Sequence, residues 1–284
     1  MDQKLIDLIV EEVLRQIQQK SPSGAAFPAP KVEHADITST AVRAAPLLDA
    51  PADPEALERM MKTTTARIGV GRCGPRLKTQ TMLTLRADHA QARDAVFADV
   101  DQAVLDGLGL FTVQSQCADK DTYITRPDLG RLLSGQAVQT LKERCVSGPD
   151  VQVFAADGLS STAIEANLEK ILPVLTESLQ ARGLKVGTPF YLRFGRVGAE
   201  DHVAEVLGAK VVCVLIGERP GLATAESMSA YIVYNAYVGM PEAKRTVVSN
   251  IHKNGTAAVE AGAYIAEVIE KILSQKASGV DLVK

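Results

Sequence analysis

The spacing of apolar positions changes period several times along this chain, and each change marks an element. Over residues 2–19, Ile6, Ile9, Val10, Val13 and Ile17 recur at helical spacing with charged and amide residues opposite. That pattern predicts one amphipathic helix. Periodicity then stops. From Ser21 to Pro54 the chain carries Pro22, Pro28, Pro30, Pro46, Pro51 and Pro54 among many alanines. Such a segment buries too little surface to offset its ordering entropy, so residues 21–54 are expected to be a disordered linker. Pro54-Glu55 opens a helix to about Lys62. Residues 79–106 follow a helical pattern with a break around Ala98–Val100, and 110–116 suit a short strand. Asp119-Lys120-Asp121 reads as a turn, and Thr125-Arg126-Pro127-Asp128 as the start of a helix reaching Cys145.

An alternation of strands and helices follows. Val151–Ala156 is a strand, and Ser160 or Ser161 caps a helix expected to bend or break at Pro173 before stopping at Gly183. Residues 190–194 form the next strand and 201–207 a helix. Residues 211–216, VVCVLI, form an unbroken apolar run halted by Gly217-Glu218-Arg219-Pro220-Gly221. A short β-branched run closed by Gly and Pro is a strand buried on both faces. Residues 229–237 and 245–251 suit two further strands, and Thr256 would cap a final helix ending near Gly279. This order predicts an α/β fold, a Rossmann-like, mostly parallel sheet flanked by helices, preceded by an N-terminal helical region and the linker. The loops 157–161, 195–198 and 217–221 would then be neighbours at the carboxyl edge of the sheet, where ligands bind in such folds. The organisation expected is a helix over 1–20, the linker over 21–54, a mainly helical partner-docking region over 55–148, and an α/β domain over 149–284.

Composition narrows the function. The formal net charge is −3 with no long basic run, which disfavours nucleic acid as a partner. No apolar stretch reaches membrane-span length, and Asp2, Asp7, Glu11 and Glu12 interrupt the start in a way that does not suit a signal peptide. A cytoplasmic protein is expected. Cys73, Cys117, Cys145 and Cys213 lack close pair spacing, so free thiols are expected rather than a zinc site.

Candidate chemistry is sparse. The run 66–76, ARIGVGRCGPR, meets G-x-G-x-x-G by letter, but Pro75 follows and no strong strand precedes. It reads as a docking loop carrying Arg67, Arg72 and Arg76. Glu218 could be a general base at the mouth of a site, or an ion-pair partner of Arg219 or Arg196. His202 suits a solvated or capping role, and His252 could bond a ligand or its own turn. The run Glu200-Asp201-His202 fails the D-x-H-x-x-G pattern of base-off cobalamin domains, because Asp and His are adjacent and Glu205 stands in place of the Gly.

Eight segments together carry a family resemblance: 65–80 TARIGVGRCGPRLKTQ, 85–89 LRADH, 123–131 YITRPDLGR, 149–160 PDVQVFAADGLS, 184–197 LKVGTPFYLRFGRV, 207–222 LGAKVVCVLIGERPGL, 249–256 SNIHKNGT and 275–279 QKASG. With these the chain resembles the small (light) subunit of ethanolamine ammonia-lyase. The resemblance implies a hetero-oligomer with several copies of this chain and of a large barrel subunit that carries the substrate site. It implies adenosylcobalamin between the two, with the coenzyme's own base below cobalt, and radical conversion of ethanolamine to acetaldehyde and ammonia. It places cofactor contacts at Val197, Glu218 and Val247, and no catalytic residue or metal ligand on this chain. Family members often carry Cys at the position of Val247; a Val packs through its methyls and offers no thiol. The resemblance further implies residence in a protein-shelled bacterial microcompartment, which favours an address tag over simple docking for residues 1–20. Two other readings stand beside it: a non-catalytic scaffold subunit, or a stand-alone α/β nucleotide-binding enzyme.

Overall fold

A computed structural model describes residues 44–283. The helix read over 2–19 and residues 21–43 of the expected linker lie outside them. In chain order the elements are α1 (Pro54–Lys62), β1 (Arg72–Cys73), β2 (Arg76–Leu77), α2 (Thr79–Phe97), α3 (Gln102–Gly107), β3 (Thr112–Gln114), α4 (Lys120–Thr125) and α5 (Gly135–Arg144). There follow β4 (Val151–Ala156), α6 (Ser161–Ala181), β5 (Tyr191–Arg193), α7 (Ala199–Leu207), β6 (Val211–Gly217), β7 (Met228–Tyr234), β8 (Thr246–Ile251) and α8 (Ala258–Gln275). Among the described residues no helix is long and apolar enough to cross a membrane.

The fold is α/β, with a mixed sheet in the order β3-β5-β4-β6-β7-β8. The first four strands pair in parallel. The last two run antiparallel, because β6 returns directly as a hairpin rather than through a helix. Every residue of β6 is buried, as its unbroken apolar run requires. Alternation sends Val153, Cys213, Leu215, Ala230 and Ile232 to one face, where Ile164, Leu168 and Ile171 of α6 and Ile265, Ile269 and Ile272 of α8 close over them. Phe154, Leu192, Val212, Val214 and Val233 face the other way, against Leu141 of α5 and Val203 and Leu207 of α7.

Local expectations fail where tertiary pairing outweighs propensity. The helix expected from Thr125 to Cys145 is a 3-10 turn and a short helix, and Thr125 ends α4 instead of capping a helix. Asp119, read as a turn residue, caps α4 by accepting from Thr122 N–H at 2.7 Å. A 3-10 turn then covers Leu129–Arg131, and Ser134 caps α5 by accepting from Ala137 N–H at 3.2 Å. Between them the chain is extended because it bonds the β3 edge: Gln116 N–H donates to the Leu132 carbonyl at 2.9 Å, and Ser134 N–H to that of Gln114 at 3.1 Å. Conversely, α6 runs unbroken through Pro173. Ile171, Leu172 and Leu175 around that proline are buried, and a Cβ on Gly262 of α8 would lie 3.0 Å from the Ile171 carbonyl oxygen. The close packing of α8 keeps this part of α6 helical despite the proline. The final helix is capped at Ala257 without a side-chain bond, not at Thr256, and Lys276, in the left-handed region, ends it before Gly279. At the other end, the last residues of the expected linker are held: Leu47 is buried, and its N–H donates to Gly69 O at 3.0 Å.

The glycine run 66–76 is a hairpin approach, not a phosphate loop. Gly74 turns it with positive φ between β1 and β2. Arg67 forms a bidentate pair with Asp88 of α2 at 2.8 and 2.9 Å, largely buried, while Arg72 and Arg76 are exposed.

Candidate functional site

From β4 the chain passes through α6 to β5, and from β5 through α7 to β6 on β4's other side. The connections diverge at β4 and β6, whose carboxyl ends are the expected ligand crevice. Here the chain fills that crevice itself. A Cβ on Gly217 would lie 2.1 Å from Ser160 O, and one on Gly158 would lie 2.3 Å from Gly217 O. Leu159 N–H donates to Gly217 O at 3.0 Å, and Gly195 N–H to Asp157 Oδ1 at 3.2 Å. The three loops expected together are therefore in contact, and at the far edge of the sheet β8 keeps several residues exposed, Val247 among them.

Glu218 continues the β6 alternation onto the α7 side of the sheet. Its N–H donates to Ser227 O at 3.0 Å, and its Oε1 accepts from the Tyr231 hydroxyl at 3.3 Å. The alternative reading, an ion pair with Arg196 or Arg219, finds no such pair among the described residues. Arg196 instead stacks on the Tyr123 ring at 4.1 Å and donates to Tyr123 O at 2.8 Å. Burial, then the adjacent Glu218 carboxylate, push the Tyr231 phenol up to about 12, so it remains a donor at neutral pH. Tyr231 lies directly opposite Val247 of β8, which is 45% exposed. Cross-strand neighbours of this kind stand side by side on one face. Val197 is half-buried between β5 and α7, packed on that same side's core, and its carbonyl accepts from Glu200 N–H at 3.1 Å.

A buried charge cluster joins the elements that carry Val197 and Val247. Arg245, two residues before Val247, meets Glu200 at 3.2 Å and Asp201 at 2.7 Å, all three buried. Glu200 also accepts from Val214 N–H at 3.3 Å. Burial pushes both carboxyls up, and Arg245 opposes the shift. Breaking such a pair strands a charge in the interior, which is strongly destabilising. Under the 194–198 loop lies a second pair, Lys120 and Asp157 at 3.5 Å, with the ammonium 5.3 Å from the Phe194 ring centroid. Phe194 has φ +57, a region uncommon outside glycine, in the turn that directs the chain toward Val197.

His202 and His252 are both engaged in hydrogen bonds within the chain. His202 Nδ1 accepts from Leu133 N–H at 3.0 Å, and His252 bonds Asn250 at 2.8 Å within its own turn. Among the described residues, no group of three or more His, Cys, Asp or Glu is placed to hold a metal ion. The four cysteines are free; Cys117 and Cys213 are buried and Cys73 is exposed. Sequence reasoning missed Tyr231, Arg245 and the Lys120–Asp157 pair. Alternation could have put Tyr231 and Arg245 on strand faces, but their partners come from elements far away in the chain.

The family model for "Ethanolamine ammonia-lyase light chain (EutC)" matches residues 54–283. Proteins named ethanolamine ammonia-lyase small subunit are similar over most of their length. That of Fusobacterium nucleatum is 60% identical over 247 residues, covering 87% of this chain and 84% of the relative. That of Clostridium tetani is 51% identical over 284 residues, with 96% of each covered. That of Clostridium perfringens is 50% identical over 282 residues, covering 99% and 93%. The chain belongs to the ethanolamine ammonia-lyase small-subunit, or light-chain, family.

Proposed function

We propose that this chain works in a hetero-oligomer with a large subunit, as the part of an adenosylcobalamin-dependent ethanolamine ammonia-lyase that builds one wall of the coenzyme site. When bound, the coenzyme supplies the radical chemistry that turns ethanolamine into acetaldehyde and ammonia; the protein binds and orients it. The observation that carries the proposal is the meeting of Glu218 and Val247 at Tyr231 on an open face of the sheet. The residues fit the group. Val247 offers an exposed apolar surface, and Glu218 Oε2 accepts no bond among the described residues, so it is available to the amide N–H groups around a corrin. Val197 contributes packing from the loop beside them. No general base is assigned to this chain, and Glu218 binds rather than transfers a proton. Residues 1–20 serve as an address for a microcompartment shell.

The test is co-expression with a candidate large subunit, followed by cyanocobalamin titration and assay of coenzyme-dependent acetaldehyde formation. Glu218→Ala should weaken cyanocobalamin binding by about tenfold, the size of one lost hydrogen bond to a charged group, and leave assembly intact. Unchanged affinity would point to a scaffold that merely bridges subunits.

A further inference from the structure

We infer that Tyr231 is a positioning residue that holds the Glu218 carboxylate over the open sheet face beside Val247. The inference rests on the coenzyme-binding reading of Glu218 and adds a residue to it. Glu218 begins the turn that leaves β6, and a glutamate side chain there has several rotamers available. Two bonds restrict it. The backbone is set by Glu218 N–H donating to Ser227 O at 3.0 Å, across the mouth of the β6–β7 hairpin. The carboxylate is set by the Tyr231 hydroxyl at 3.3 Å from Oε1.

Tyr231 is suited to the task by its own surroundings. Its backbone is locked in the middle of β7, paired with Val214 on one side and Val247 on the other. Its ring is half-buried and packs on the core beneath α7, so the phenol projects from a rigid base. A phenol donates one hydrogen, and with Oε1 occupied that hydrogen is committed, leaving Oε2 to an incoming donor. The same ring stands opposite Val247, so one side chain aligns the polar and apolar parts of the wall. Ordering the carboxylate before binding removes a rotamer cost that the ligand would otherwise bear.

Tyr231→Phe keeps the ring and removes only the hydroxyl. In the assembled complex with the large subunit, it should weaken cyanocobalamin binding by about five- to tenfold, as expected for a hydrogen bond to an ionised acceptor. In a Glu218→Ala background the same substitution should change affinity by less than about twofold, since coupled residues are non-additive. A merely structural role for the hydroxyl would not produce that dependence. If Tyr231→Phe has no effect, or lowers affinity equally in both backgrounds while Glu218→Ala alone still weakens binding, the positioning role is wrong and the site reading stands. If Glu218→Ala alone leaves affinity unchanged, the site reading fails and takes the inference with it.

Discussion

Asp157 is the residue whose chemistry is set most completely by its place. It directly follows β4, is 1% exposed, and has Lys120 at 3.5 Å and the Gly195 N–H at 3.2 Å. Burial outweighs both favourable partners and pushes its carboxyl up to about 6. An acid raised in the folded state holds its proton there at pH values where the unfolded chain has lost it. Stability from this group is therefore full below about pH 4 and is lost as pH rises through about 6. Measured by urea unfolding, the wild type should lose stability relative to Asp157→Asn between pH 4 and pH 7; parallel profiles would contradict the assignment. Nothing in the run VFAADGLS announces this. The Asp reads there as a turn residue after a strand, because Lys120 and Gly195 come from two other segments. Glu218 shows the same limit. Its placement after a buried strand is legible, but its partner Tyr231 is visible only once β7 is laid beside β6.

Among elements, β6 and its turn were the most legible. A six-residue apolar run closed by glycine has one stable environment, the centre of a sheet covered on both faces. Gly217 is needed there for space rather than for backbone freedom, since a Cβ would meet Ser160 O at 2.1 Å and Asp157 O at 2.5 Å. Gly217→Ala should force these backbones apart and cost about 1–3 kcal/mol, read from the denaturation midpoint. A neutral effect would mean that the loops are not packed as described. Elements with weaker intrinsic signals were misread for one reason. The segment from Thr125 to Cys145 opens on helix-start residues, yet pairing with the β3 edge pulls 132–134 into extended backbone. Pro173 argues for a break, yet α6 stays whole because its neighbours are buried against α8 and the sheet.

For the whole molecule, the sheet's mixed character leaves part of one face without a covering helix. The helices α5 and α7 cover one face over the parallel strands, while Val247 on β8 is left open on that side. A second subunit completing a site would approach there, which agrees with the proposal for a shared coenzyme site. The proposed address at residues 1–20 predicts a separable function. Deleting them should leave cyanocobalamin affinity of the complex unchanged and abolish its co-purification with intact shells; retention with shells at the full-length level would refute the address.

The sequence by itself determined the alternating α/β order, the buried run of β6, the nearness of three loops at its end and, through eight segments, the family. These depend on local period, turn chemistry and contiguous motifs, all of which are written along the chain. Only the tertiary structure decided that β7 and β8 turn the sheet antiparallel, that backbone fills the β4–β6 crevice, and that Tyr231 and Arg245 connect the residues named at the outset. Those facts depend on contacts between distant segments, where burial and pairing outweigh the preferences of any single stretch.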